Sequence, residues 1–294
     1  MGLSRRRFLT STTLLGAAVA AGCTTTVSGE ARPNPADLRQ AKETPVSGGI
    51  KTVRAGIIAF EPYTVGSGAD LKGPIPDVLR KIFTGLGADT VQFAIMNEQE
   101  KILTMMVAGQ LDVAGGLGPR ADLCQNMTFS DPDFASGTAF AVPAGNPKGL
   151  KTFADVVSQG AKVAVFQGAP EEQDATGAGV QSANIVRLPE PTVLLRAVTD
   201  GQADCFAFDD ISLRHMVKTI GQGLEVAAPF MPAARPPYLG AYAFPQDTEL
   251  LKPFNDALHD LHDSGEWLRM VEPYGFTKDN EPTDENTAEK ACAG

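Results

Sequence analysis

Four short stretches of this sequence carry residue types suited to gripping a small charged molecule. Phe60, Glu61 and Tyr63 follow an apolar, β-branched run at its carboxyl end, the edge at which open α/β sheets collect ligands. An aromatic face attracts a delocalised cation, and a carboxylate accepts from that cation's N–H groups. Gly115-Gly116-Leu117-Gly118-Pro119-Arg120 sets a glycine-rich backbone beside one arginine, a combination that can cradle a carboxylate. Gln167-Gly168-Ala169-Pro170-Glu171 follows a second apolar run and opens a helix, whose free N–H groups suit an anion or a carbonyl. Asp209 follows Cys205-Phe206-Ala207-Phe208 and needs a cation or several donors once enclosed. Each stretch also has a plainer use. Phe60 can be core, Glu61 a solvated loop charge, Arg120 a surface residue on a tight turn, and Gln167 to Glu171 a strand-to-helix turn. Asp209 and Asp210 precede Ile211-Ser212-Leu213-Arg214 and suit a helix N-cap.

Reactive chemistry is harder to place. The three histidines, His215, His259 and His262, fall outside these stretches, and acid–base catalysis needs a tuned group at the reacting atom. No nucleophile elbow or phosphate loop occurs. The cysteines, Cys23, Cys124, Cys205 and Cys292, include no CxxC pair, so neither zinc nor another metal is expected, and no cofactor motif stands out.

The elements that would position these residues follow from periodicity. Residues 51–60 read as a buried strand, 76–86 as a core-facing helix, 90–95 as a strand, 102–108 as a helix and 111–114 as a strand. After Gly145-Asn146-Pro147 the pattern restarts. Helix is expected at 150–157, strand at 162–166, loop and helix at 168–176, strand at 184–188, helix at 193–199 and strand at 203–208. A late strand at 238–244 and helical spacing over 248–270 complete the chain. Alternation of this kind means α/β architecture with largely parallel sheets. The length, 294 residues, allows two units of about 100–150 residues, and two similar lobes with a cleft between them suit a clamp.

The formal net charge is −10, which argues against nucleic acid and anionic membrane surfaces as partners. Ser4-Arg5-Arg6-Arg7-Phe8-Leu9 followed by the short apolar run Leu14 to Ala21 has the layout of a signal peptide of the twin-arginine kind. Ala20-Ala21-Gly22-Cys23 resembles a bacterial lipobox, which would make Cys23 a lipidated first residue; an ordinary cleavage site is the alternative. Removing residues 1–22, with their three arginines and no acid, leaves about −13. Residues 23–50 read as a flexible tether from the membrane. An oxidising compartment permits a disulfide among Cys124, Cys205 and Cys292.

Four motifs in order resemble the family 3 extracellular solute-binding proteins of ABC transporters: Leu71-Lys72-Gly73, Ala108-Gly109-Gln110-Leu111-Asp112, Phe129-Ser130-Asp131-Pro132 and Asp200-Gly201-Gln202-Ala203-Asp204. Within that family the chain is similar to ectoine/hydroxyectoine-binding subunits, through Gly145 to Leu150, Leu268 to Thr277 and the final Cys-Ala-Gly. The resemblance implies a two-lobed type II periplasmic-binding-protein fold with a discontinuous first lobe, 51–142 plus 238–294, and a second lobe, 143–237. Its two crossings are expected near Phe140–Pro143 and Pro237–Ala241. It implies a monomer that captures a small zwitterionic or cationic solute, an ectoine-like molecule or an amino acid, for ABC permease subunits. An enzyme of the same fold, such as a dehydratase of a small carboxylic acid, is the alternative.

Taken together, the residue types and the resemblance put ligand contacts at Phe60, Glu61, Tyr63, Gln99, Leu117, Gly118, Arg120, Gly168, Ala169 and Asp209, and the resemblance implies a Cys124–Cys292 disulfide. The sequence departs from the ectoine binders in three places. Their carboxylate-binding arginine falls on Leu123, with Arg120 one turn earlier, and two positions of their aromatic box fall on Gln99 and Gly118. Only Tyr63 is left of that box.

Overall fold

The computed structural model describes residues 51–293 except Ala234. The expected export signal at 1–22, Cys23 and the tether at 23–50 lie outside the described residues. In strand β1 (Thr52–Ile58) alternate residues Val53, Ala55 and Ile57 are fully buried on one face of a sheet. β1 lies between two parallel neighbours, β2 (Thr90–Met96) and β3 (Val113–Leu117). Helix α1 (Pro74–Gly85) places proline in its first turn, where the missing N–H costs nothing, and buries Val78, Leu79, Ile82 and Phe83. Helix α2 (Gln99–Val107) packs Ile102 and Met106 into the core on the other face.

Two further strands and a latecomer complete this first sheet. β4 (Met127–Phe129) and β5 (Phe134–Ser136) both pair with β11 (Tyr238–Pro245), which runs antiparallel between β3 and β4. Between β3 and β4 lies the short helix α3 (Ala121–Cys124).

The second sheet has the order β10-β6-β9-β7-β8. Its strands are β6 (Thr138–Pro143), β7 (Val163–Phe166), β8 (Ile185–Leu188), β9 (Cys205–Asp209) and β10 (Leu224–Val226). Helices α4 (Phe153–Ser158), α5 (Pro170–Gly177), α6 (Pro191–Thr199) and α7 (Asp210–Ile220) connect them. Buried clusters on its two faces centre on Phe140, Val163 and Cys205, and on Phe206, Leu194 and Leu213.

The two Gly-x-x-Asp motifs have the same physical task. Asp112 accepts the backbone N–H of Arg54 at 2.8 Å, and its own N–H returns to the Arg54 carbonyl at 2.8 Å. Asp204 does the same with Lys162, again 2.8 Å each way. Each aspartate thereby staples its strand to the start of the neighbouring one. In the first sheet the Arg54 guanidinium adds two bonds to Asp112.

The chain passes from the first sheet to the second at Gly137, between β5 and β6, and is back in the first sheet at Tyr238, after Phe230 bridges to Thr138. The first crossing precedes the expected Phe140–Pro143 because Thr138–Ala141 is already paired with β9. The expected single helical stretch over 248–270 is two helices, α8 (Leu251–Asp263) and α9 (Glu266–Val271), separated at Gly265, which has φ +66°. Helix α7 serves both halves, since Ile211 belongs to the core of the first sheet and Leu213 to that of the second. Gly275 (φ +99°) lets the C-terminal segment lie against α7, where a Cβ would come within 2.7 Å of the Ile211 carbonyl. Cys124 of α3 and Cys292 of α10 (Ala288–Ala293) form a disulfide with Cα atoms 5.7 Å apart, and Cys205 is a buried free thiol.

Candidate functional site

A cavity of about 290 Å³ opens between the two sheets, with walls from the carboxyl ends of strands in both. After β1 the chain turns back, the Thr64 N–H meeting the Phe60 carbonyl at 2.9 Å, and presents Phe60 and Tyr63 to the cavity. Phe60 is 44% exposed and Tyr63 is buried. Their rings are near-parallel with centroids 6.1 Å apart. The aromatic wall continues through Phe134, 5.4 Å from Tyr63, to Tyr238, and on the opposite side to Phe208, 6.4 Å from Phe60. Five rings therefore line the space.

Carboxylates close the other side. Asp209 ends β9 and caps α7, accepting the Ser212 N–H at 2.9 Å. It also accepts the Tyr63 hydroxyl at 2.8 Å, a bond from one sheet's side of the cavity to the other's. Enclosure holds the Asp209 carboxyl above the usual carboxylate range despite these donors. The N-cap and the cavity roles thus fall on one residue. Asp210, by contrast, is buried away from the cavity. It accepts from the Gly137 N–H at 3.0 Å, Arg214 at 2.5 Å and Asn280 at 3.0 Å, and so ties the first crossing to α7 and the C-terminal segment.

Glu171, in the first turn of α5, is 5% exposed and lines the cavity. Burial pushes its carboxyl up to about 7, with Asp209 and Asp174 adding like charge and Arg235 opposing. Arg235, from the returning crossing, donates Nη2 to Glu171 at 2.8 Å and to the Thr138 hydroxyl at 2.9 Å, and Nε to Asp174 at 2.7 Å.

Of the residues expected from sequence, Phe60, Tyr63 and Asp209 meet in this cavity. The others are placed elsewhere. Glu61 is exposed outside the cavity, and its charge reaches His215 on α7. Gln99 opens α2 without lining the cavity, and Leu117 is buried in the first sheet's core. Gly115 to Leu117 are strand rather than free loop, paired with β1 and β11. The Gly168 N–H is taken by Glu172 at 3.0 Å, and Gly168 and Ala169 line a separate surface depression.

Arg120 is exposed, forks onto Asp122 with two bonds of 3.1 Å, and faces a second chamber of about 700 Å³ that shares only Arg235 and Tyr238 with the first. Gly118 lies in that chamber too. A Cβ there would sit 3.1 Å from the Tyr238 ring and 2.8 Å from the Leu239 carbonyl, so Tyr238 occupies the space a side chain at 118 would enter. The expected contacts did not include Phe134, Phe208, Arg235 or Tyr238, nor Glu171, which closes the 167–171 stretch singled out for its backbone N–H groups rather than for this carboxylate. Arg235 carried a signal, as the lone cation in a proline-rich crossing (Pro232, Pro236, Pro237).

Residues 53–278 match the model of the bacterial extracellular solute-binding proteins, family 3. The chain belongs to this family. A probable amino-acid ABC transporter periplasmic-binding protein of Sinorhizobium fredii is 26% identical over 222 residues, covering 73% of each chain. The crystal structure of EhuB in complex with hydroxyectoine is 32% identical, with TM-score 0.57, covering 82% of this chain and 94% of that one. The L-cystine solute receptor of Neisseria gonorrhoeae, in its unliganded open conformation, shares the fold at 20% identity, with TM-score 0.67, covering 79% of this chain and 96% of that one. The architecture of two sheets and two crossings is the type II periplasmic-binding-protein fold. This family 3 protein is thus an exported solute-binding protein of the kind that serves ABC importers.

Proposed function

We propose that this solute-binding protein takes a small zwitterionic or cationic solute, of the ectoine or amino-acid type, into the cavity between its sheets and delivers it to permease subunits without transforming it. One observation carries the reading: Asp209 and Glu171 stand opposite stacked aromatic rings at the carboxyl ends of strands from both sheets. A flat delocalised cation finds ring faces there, and acceptors at its edge. The chain's 32% identity to EhuB, crystallised with hydroxyectoine, supports an ectoine-type ligand. The rings of Phe208, Phe134 and Tyr238 supply the aromatic enclosure that Gln99 and Gly118 do not. Thermal shift against ectoines, betaines, polyamines and amino acids tests the assignment. A true ligand at 100 times its dissociation constant adds about 2.7 kcal/mol, a rise of several degrees, and no shift from any of these classes would remove it.

The protein is held at the membrane by lipid on Cys23, a reading supported by the lipobox-like Ala20-Ala21-Gly22-Cys23. Cys23→Ser should release it to the soluble fraction with ligand affinity intact. Mass spectrometry showing an unlipidated wild-type protein would end this part of the proposal.

A further inference from the structure

We infer that this cleft prefers small organic cations without a carboxylate over the corresponding zwitterions, because the one basic side chain on its lining is already paired with two buried acids. The inference rests on the cavity between the sheets being the solute site.

Among the described residues that line the cavity, Arg235 is the single basic one. It faces Glu171 and Asp174 together, at 2.8 and 2.7 Å, and both carboxylates are 5% exposed. With Asp209 on the adjacent wall, one guanidinium stands among three acids. A ligand carboxylate would approach a neighbourhood whose net charge repels it, and would have to share Arg235 with two buried partners or take it from them. Leaving those partners unpaired is costly in a dry site. Repulsive placement of this kind is a recognised source of specificity.

Several nearby donors are taken, which leaves the neutral hydroxyls of Ser136 and Tyr238 on the lining. The Gly137 N–H is bound to Asp210 and the Gly168 N–H to Glu172. Arg120 is held by Asp122 in the second chamber, and Leu123 is buried and apolar. A cation meets the opposite situation. Phe60, Tyr63, Phe208 and Tyr238 offer ring faces, and Asp209 and Glu171 offer acceptors, in about 290 Å³. That volume lies at the small end for organic-ligand pockets, which run to about 300–1,000 Å³.

The test uses matched pairs that differ by one carboxylate: agmatine and arginine, cadaverine and lysine, choline and glycine betaine, with ectoine as a cyclic zwitterion. Calorimetric titration of the exported chain is expected to show a carboxylate-free member binding at least tenfold tighter than its partner. Asp209→Asn should weaken that binding at least tenfold. Equal or tighter binding by the carboxylated members, or by ectoine alone, would overturn the preference and leave the solute-binding reading standing. Silence from every probe would overturn both. Tight cation binding that Asp209→Asn leaves untouched would place the cation elsewhere, and would also sink the inference.

Discussion

Asp209 and Asp210 are adjacent acids with different work, and the difference is measurable. Asp209 faces the cavity, so truncating it removes a buried charge partner for the ligand. Such a loss typically costs about 2–5 kcal/mol, or roughly 30- to several thousand-fold in affinity. Asp209→Ala should therefore weaken binding on that scale, while Asp210→Ala should leave affinity nearly unchanged and lower stability in urea denaturation. The Asp210 loss should be about 3–5 kcal/mol, since Arg214 and the Gly137 N–H lose their partner. Equal effects of the two variants on affinity would mean that Asp209 does not touch the solute.

Glu171 adds a pH dependence. Its carboxyl sits at about 7 when folded, against an ordinary value of 4.5, so the folded protein holds more protons than the unfolded chain between those values. Ligand-free stability should fall as pH rises from about 4.5 to about 7, then level off. Affinity for a cation should do the reverse. It should climb up to about tenfold per pH unit below 7 as Glu171 ionises beside Arg235, Asp174 and Asp209, and flatten above. Glu171→Gln should remove the slope, and a slope that survives would assign the proton to another group.

At the scale of elements, much was legible and the omissions have physical causes. Buried runs such as Val53 to Ile58, broken by the charge of Arg54, or Cys205 to Phe208 announced their strands because strands covered on both faces need largely apolar residues. The Gly-x-x-Asp motifs announced themselves because the same backbone staple is used twice. The three-residue strands β4, β5 and β10 were not seen, being too short to show a period and fixed only by partners far along the chain. The site divides in the same way. Phe60 and Tyr63 follow β1, Asp209 ends β9, and all three were found locally. Arg235 and Tyr238 reach the cavity at a crossing whose place the sequence marked but whose side-chain directions it did not, and Arg120 was misplaced because β3 extends to Leu117 and carries the turn past the cavity. The contact of α7 with the C-terminal segment makes a further prediction. Gly275→Ala must hold a left-handed backbone and push against the Ile211 carbonyl, at a cost of about 1–3 kcal/mol. Urea denaturation reads it, and unchanged stability would mean that the segment does not pack on α7 in solution.

For the whole molecule, the Cys124–Cys292 disulfide ties the end of the chain to the first sheet across 168 residues. Cys292→Ser should lower stability by about 2–5 kcal/mol, less where the reduced chain keeps residual structure. Peptide mapping without reductant should recover the cross-linked pair and Cys205 as the free thiol. The place of β11 has a consequence for biosynthesis. This strand sits inside the first sheet, between β3 and β4, yet it follows every strand of the second sheet in the chain. A nascent polypeptide therefore finishes the second sheet while the first still has a gap where β11 belongs, with the edges of β3, β4 and β5 unpaired. Chains stalled near residue 230 would carry one completed half and one open-edged half. Arrested synthesis would then yield a species prone to edge-to-edge association, whereas release a few dozen residues later would not.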